Sequence, residues 1–135
     1  AHETANFSTL KEIGGRLDFK KYDPKHNPRK AKALGNVKPG DGARYHGRGF
    51  IQLTGRGLYE QFAKEIGKDL DETVVYCETF DGAIESACFF WEHHGLNAIS
   101  DAGDIVHATK IINGGTLGID DRTARYRHAL QIFGV

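Results

Sequence analysis

From Leu58 onward, apolar side chains return every three or four residues in four separate runs, and this periodicity commits that part of the chain to helices. Leu58, Phe62 and Ile66 form the first run, supported by an i,i+4 Glu60–Lys64 pair and stopped by Gly67. Ile84, Ala87, Cys88 and Trp91 form the second, which ends at Gly95 with His93 and His94 in the last turn, where positive charge is favoured. Ile105, Ala108 and Ile112 form the third, opened by Ser100 and Asp101 and closed by Gly114 and Gly115. Tyr126, Ala129, Leu130 and Phe133 form the fourth, with Asp120 and Asp121 at its start.

The first half has a different character. All three prolines lie between Gly14 and Gly49, among many glycines, with one compact helix signal: Asn27 suits the cap, Pro28 the first helical position and Leu34–Gly35 the stop. The remainder reads as long loop, which in a compact domain usually carries function. No repeat and no linker interrupts the 135 residues, so a single, mainly α-helical domain over 1–135 is expected.

Charge separates the same way. The formal net charge is zero, yet residues 1–56 hold 12 Lys and Arg against 5 Asp and Glu, whereas residues 57–135 hold 6 against 13. No apolar run approaches the ~20 residues of a spanning helix, so no membrane insertion is expected. The chain does not open on a basic segment followed by an apolar one, so no secretory signal is read there. Cys77 and Cys88 do not form a disulfide framework and read as free thiols. The basic half lacks interleaved aromatic residues, which argues against a nucleic-acid partner.

Several familiar motifs fail on the residues that would do the chemistry. His2-Glu3 lacks the second histidine of a zinc-protease helix, because position 6 is Asn6, and no other metal-ligand spacing occurs, so neither a metal nor a cofactor is expected. Gly47-Arg48-Gly49 opens like a dinucleotide loop but has Gln52 in place of the third glycine. Gly42 and Gly47 have phosphate-loop spacing, but Arg48-Gly49 follows where Lys-Ser/Thr is needed.

What remains is a set of polar residues strung along the chain: Glu3 and Glu12, then Gln52 and Thr54, then Asn113 and Arg122. Two carboxylates with hydrogen-bonding neighbours are the apparatus of glycosidic bond cleavage. Nine residues on one continuous helix would set Glu3 and Glu12 on opposite faces and ~13 Å apart along the axis, so a catalytic pair requires any helix through Glu3 to end before Glu12. On residue type alone, Gln52 and Asn113 could equally cap backbone groups, Arg122 could be a structural ion-pair partner, and the glutamates could be ordinary surface residues.

At these residues the sequence resembles glycoside hydrolase family 19, the chitinase and lysozyme-like group that includes many phage endolysins. The matching segments are Ala-His-Glu-Thr at 1–4, the run from Pro39 to Arg56 that contains Tyr-His-Gly-Arg-Gly-Phe-Ile-Gln-Leu-Thr-Gly-Arg, and Ile-Asn-Gly-Gly at 112–115 followed by Asp121-Arg122. The resemblance implies a two-lobed, lysozyme-like helical domain with a glycan-binding cleft and an inverting hydrolysis of β-1,4-linked N-acetylated sugars. Glu3 stands where the family has its general acid, and Thr54 where a hydroxyl helps hold the attacking water. Glu12 matches the second carboxylate of the endolysin branch. Gln52, Asn113 and Arg122 stand at cleft-lining positions. Tyr45 offers a ring that could stack on a sugar, whereas Trp91 lies on an apolar helical stripe and reads as core. Family members normally have a helix leading into the acid. With the acid as third residue, the sequence reads as lacking that N-terminal helix, and as a fragment or a weakly held site.

The resemblance further implies a monomeric endolysin-type muramidase that acts on peptidoglycan of the bacterial cell wall, either phage-encoded and released from the host cytoplasm or secreted. Peptidoglycan is favoured over chitin because the disulfide-bounded loops of plant chitinases are absent. The alternatives are a chitinase acting on N-acetylglucosamine polymers and a non-catalytic glycan-binding module.

Overall fold

The computed structural model describes residues 9–134. Among these, eight α-helices and one 3-10 helix appear and no strand is formed; the only ladder contacts are the isolated bridges Lys11–Arg48 and Arg48–Leu53. The mainly α-helical class expected from the periodicity is the one observed. The chain divides into two compact units, with the division between Phe89 and Phe90.

In the first unit, the 3-10 helix Asp18–Tyr22 precedes α1 (Pro28–Ala33) and α2 (Asp41–Arg44). Asn27 caps α1 by accepting from the Lys30 N–H at 3.1 Å, with Pro28 at the first position, as its sequence predicts. The expected loop around these short helices is fixed by buried polar side chains that serve as backbone partners. Asp23 accepts from the Gly40 N–H at 2.6 Å, Asn36 donates to the Tyr22 carbonyl at 2.9 Å and accepts from the Arg56 N–H at 2.8 Å. Asp41, 3% exposed, takes the N–H groups of Val37 and Lys38 and both arms of Arg56, whose Nε lies 2.8 Å from Oδ2 and Nη2 2.7 Å from Oδ1. Gly42 permits α2 to lie on the 3-10 helix, since a Cβ there would stand 2.5 Å from the Phe19 carbonyl oxygen.

Helix α3 (Arg56–Ile66) ends on left-handed Gly67, and α4 (Leu70–Tyr76) is capped by Asp69, which accepts from the Glu72 N–H at 2.8 Å. Tyr45, Leu53, Tyr59, Phe62 and Phe89 form the core of this unit, with Tyr45–Tyr59 centroids 5.5 Å apart and Phe62–Phe89 centroids 5.2 Å apart.

Helix α5 (Phe80–His93) corrects one expectation. Its buried residues are Gly82, Ala83, Ser86, Phe89 and Phe90, whereas Ile84 and Cys88, assigned to its apolar stripe, are exposed. Close backbone approach decides the face: a Cβ on Gly82 would lie 2.0 Å from the Tyr76 carbonyl oxygen, and one on Gly49 2.5 Å from Ser86 Oγ. Small residues are needed against those neighbours, so bulk hydrophobicity does not select the stripe. Cys77 is a buried free thiol whose pKa is pushed up to about 11 by burial, and Cys88 is an exposed free thiol.

The second unit contains α6 (Leu96–Asp101), α7 (Ile105–Asn113) and α8 (Ile119–Phe133). Ser100 and Asp101 lie inside α6 and do not open α7; Asp104 does, accepting from the His107 N–H at 2.9 Å. Trp91 is half-buried, with Nε1 donating to Asn97 Oδ1 at 2.9 Å. Leu96, Ala108 and Thr109 are buried, while Phe133 is 77% exposed although its spacing suggested an inward face.

Candidate active site

Three stretches of non-helical backbone run side by side in the first unit. The Gly49 N–H donates to Leu10 O at 2.7 Å, the Glu12 N–H to Gly47 O at 2.8 Å, and Arg48 and Leu53 exchange both backbone bonds at 3.1 and 2.7 Å. The Gly55 N–H closes the arrangement on Tyr45 O at 2.8 Å. Arg48 anchors it from below: its 6% exposed side chain donates to Glu78 at 2.7 Å, to the carbonyls of Arg44 and His46 at 2.9 and 3.2 Å, and to Tyr59 Oη at 3.3 Å.

Gly47 is the centre of the cluster. Its N–H lies 3.3 Å from Glu12 Oε2, and a Cβ on it would meet Gln52 Oε1 at 2.7 Å and Thr54 Oγ1 at 3.1 Å. The structure therefore brings together three of the residues singled out in the sequence, Glu12, Gln52 and Thr54, around one buried glycine. Glu12 lies outside any helix, which satisfies for its own side the requirement that the two carboxylates not share one. Glu3 lies outside the described residues.

The Glu12 carboxylate is held asymmetrically. Oε1 accepts from Lys21 Nζ at 2.8 Å and from Tyr22 Oη at 3.0 Å, whereas Oε2 takes the longer bond from Gly47. Burial favours its neutral form, but the combined hydrogen bonds from Lys21, Tyr22 and Gly47 outweigh it and leave the pKa below the ordinary glutamate value. Glu12 is consequently ionised at neutral pH, with Oε2 its less occupied oxygen. Thr54 spends its proton on the Gln52 carbonyl at 2.7 Å, so its oxygen is left to accept. A water between the two could give one proton to Glu12 and the other to Thr54.

Gln52 has φ 61°, the left-handed region, where no other non-glycine residue among those described is found. Its Nε2 donates to Gly49 O at 3.0 Å. Such a conformation costs of order 1 kcal/mol or more in a residue with a Cβ, and strain of this kind gathers at sites that hold ligands.

Tyr45 requires correction as a sugar-stacking ring. It is 2% exposed, packed on Tyr59 and covered by the Arg56 guanidinium 4.8 Å from its centroid, so no face is open to a glycan. Asn113 is exposed at the end of α7, and Arg122, 9% exposed in the first turn of α8, donates to Leu117 O at 3.4 Å and borders a cavity of about 170 Å³ with Trp91, Ile112 and Tyr126. Both belong to the second unit. The residues that sequence reasoning missed are Lys21 and Tyr22. They precede Pro24 in a stretch without periodicity, and only folding of the 3-10 helix brings them to Glu12.

No family model matches the sequence. A curated protein of Haemophilus influenzae, named a glycosyl hydrolase family 19 domain-containing protein, is 34% identical across 148 aligned positions that cover 93% of this chain and 72% of the relative. The chain belongs to glycoside hydrolase family 19. Family 19 membership accords with the mainly helical, lysozyme-like fold class, and it places the cluster around Gly47 in a glycoside hydrolase domain.

Proposed function

We propose that this family 19 domain is an endolysin-type muramidase that cleaves the β-1,4 bonds of peptidoglycan with inversion. The observation that carries the reading is the Glu12 carboxylate, kept ionised by Lys21, Tyr22 and Gly47, the same glycine that a Thr54 oxygen left free to accept also approaches. Glu3 acts as general acid and protonates the leaving oxygen, for which its pKa must be raised. Water held by Thr54 loses a proton to Glu12 as it attacks the anomeric carbon from the opposite face. Gln52 lines the glycan path beside Gly47. The enzyme works on the bacterial cell wall, without metal or cofactor.

Digestion of purified peptidoglycan tests the substrate and the stereochemistry together. New N-acetylmuramic acid reducing ends, released first as the α-anomer, are the expected products. Release of the β-anomer would contradict inversion. Cleavage of N-acetylglucosamine oligomers alone would make the protein a chitinase, and wall binding with no new reducing ends would make it a glycan-binding module.

A further inference from the structure

Two adjoining cavities of about 620 and 270 Å³ share Arg16, Pro39, Gly40 and Ala43, and so form one groove over α2 and the 3-10 helix. Arg16 and Lys38 border the larger and Lys20 and Lys25 the smaller; all four are exposed, and none has an ion-pair partner among the described residues. The carboxylates at the groove are already committed: Asp41 to Arg56, Asp71 to Arg44, and Asp23 to the N–H groups of Gly40 and Lys25, with His26 Nδ1 3.7 Å away. Four cations without an ion-pair partner thus outnumber the single carboxylate, Asp23, that no Lys or Arg meets, along a concave surface built on the same 3-10 helix whose Lys21 and Tyr22 hold Glu12. A row of fixed positive charge in a groove concentrates anionic ligands. Its phenyl and phenol rings, Phe19 and Tyr45, are 4% and 2% exposed, and its one exposed ring is the lone imidazole of His26, so no row of stacking platforms for nucleic-acid bases lies along it.

We infer that this groove binds the carboxylate-bearing peptide stems of peptidoglycan and thereby distinguishes that polymer from neutral chitin. The inference rests on the proposed glycan substrate but concerns charge on the stems, not cleavage of the sugar bond. Each exposed ion pair contributes a factor of a few at most, so the four together give about tenfold or more in affinity, weakened by salt.

Cold sedimentation with teichoic-acid-free sacculi tests it without requiring hydrolysis. The full chain is compared with a variant carrying Arg16→Ser, Lys20→Ser, Lys25→Ser and Lys38→Ser, whose folding is checked by its thermal melt. The unmodified chain is expected to bind untreated sacculi about tenfold more tightly than sacculi with amidated stem carboxylates or chitin, and the variant to bind all three at the lower level. Equal binding by chain and variant, indifference to amidation, or equal retention on chitin would overturn the inference. Tighter retention on immobilised polyphosphate than on sacculi would assign the groove to phosphates and overturn it too. Charge-dependent binding without any release of reducing ends would leave the groove assignment standing and sink the proposed hydrolysis.

Discussion

At the scale of single residues, Glu12 is defined by its donors. Lys21 contributes the shortest hydrogen bond and a full positive charge, so replacing it withdraws stabilisation from the ionised carboxylate and raises the Glu12 pKa. In Lys21→Met the acid limb of kcat/KM should therefore move to higher pH, with the plateau at neutral pH largely kept; Tyr22→Phe should move it the same way by less. An unmoved acid limb in both variants would remove Glu12 as the group that sets it. Gln52 presents the opposite case, a residue whose backbone is strained. Gln52→Gly relieves the left-handed conformation but loses the Nε2 bond to Gly49 and adds freedom to the unfolded chain, so stability should stay within about 1 kcal/mol of the parent while hydrolysis falls. A thermal melt beside a rate measurement checks this, and a rate equal to the parent's would show that the Gln52 side chain has no part in the reaction.

At the scale of elements, the loop-rich first half is ordered by buried polar residues. Asp41 and Arg56 pin α2 and the preceding loop to the start of α3, two residues after Thr54. Burial opposes the Asp41 charge, but Arg56 and the N–H groups of Lys38 and Val37 more than offset it, and the folded pKa is depressed. A depressed carboxyl contributes stability above the ordinary value of about 4, and that contribution is lost as pH falls through the folded pKa. Asp41→Asn removes the charge that both arms of Arg56 meet and leaves the half-buried guanidinium only the longer contact to Glu60 at 3.4 Å, so a loss of about 1–3 kcal/mol in denaturant unfolding is expected; a loss under about 0.5 kcal/mol would contradict the pinning role. Helices α1, α3, α7 and α8 were readable because a cap, a period or a terminal glycine marks each locally. The short α2, α4, α6 and the 3-10 helix carry fewer than two turns each, too little for periodicity to register. The buried face of α5 was misread because Gly82 and Gly49 set it by contact with distant backbone, and Tyr45 was misplaced because an aromatic beside a glycine-rich segment looks the same in sequence whether it is packed or open. Glu12, Gln52 and Thr54 were singled out in the sequence as part of a polar set given roles by the family resemblance, and the structure gathers them around Gly47. Lys21 and Tyr22 were not, since their contacts reach back nine and ten residues to Glu12, which no local pattern announces.

At the scale of the molecule, a formal charge of zero conceals a basic first half, and the structure gives that surplus a location. Arg48, Arg56 and Arg44 are spent on Glu78, Asp41 and Asp71, while Arg16, Lys20, Lys25 and Lys38 remain along the groove. On the proposed reading, the first unit carries the base Glu12, the water-holding Thr54 and the anion-attracting groove together, within a chain that belongs to glycoside hydrolase family 19. The rate of reducing-end release from purified peptidoglycan by the parent chain and by Glu12→Gln is the most direct test of that account. A working general base contributes about a hundredfold or more, so Glu12→Gln should lose at least that factor while its thermal melt shows it still folded; release by Glu12→Gln at the parent's rate would contradict the assignment of Glu12 as the base.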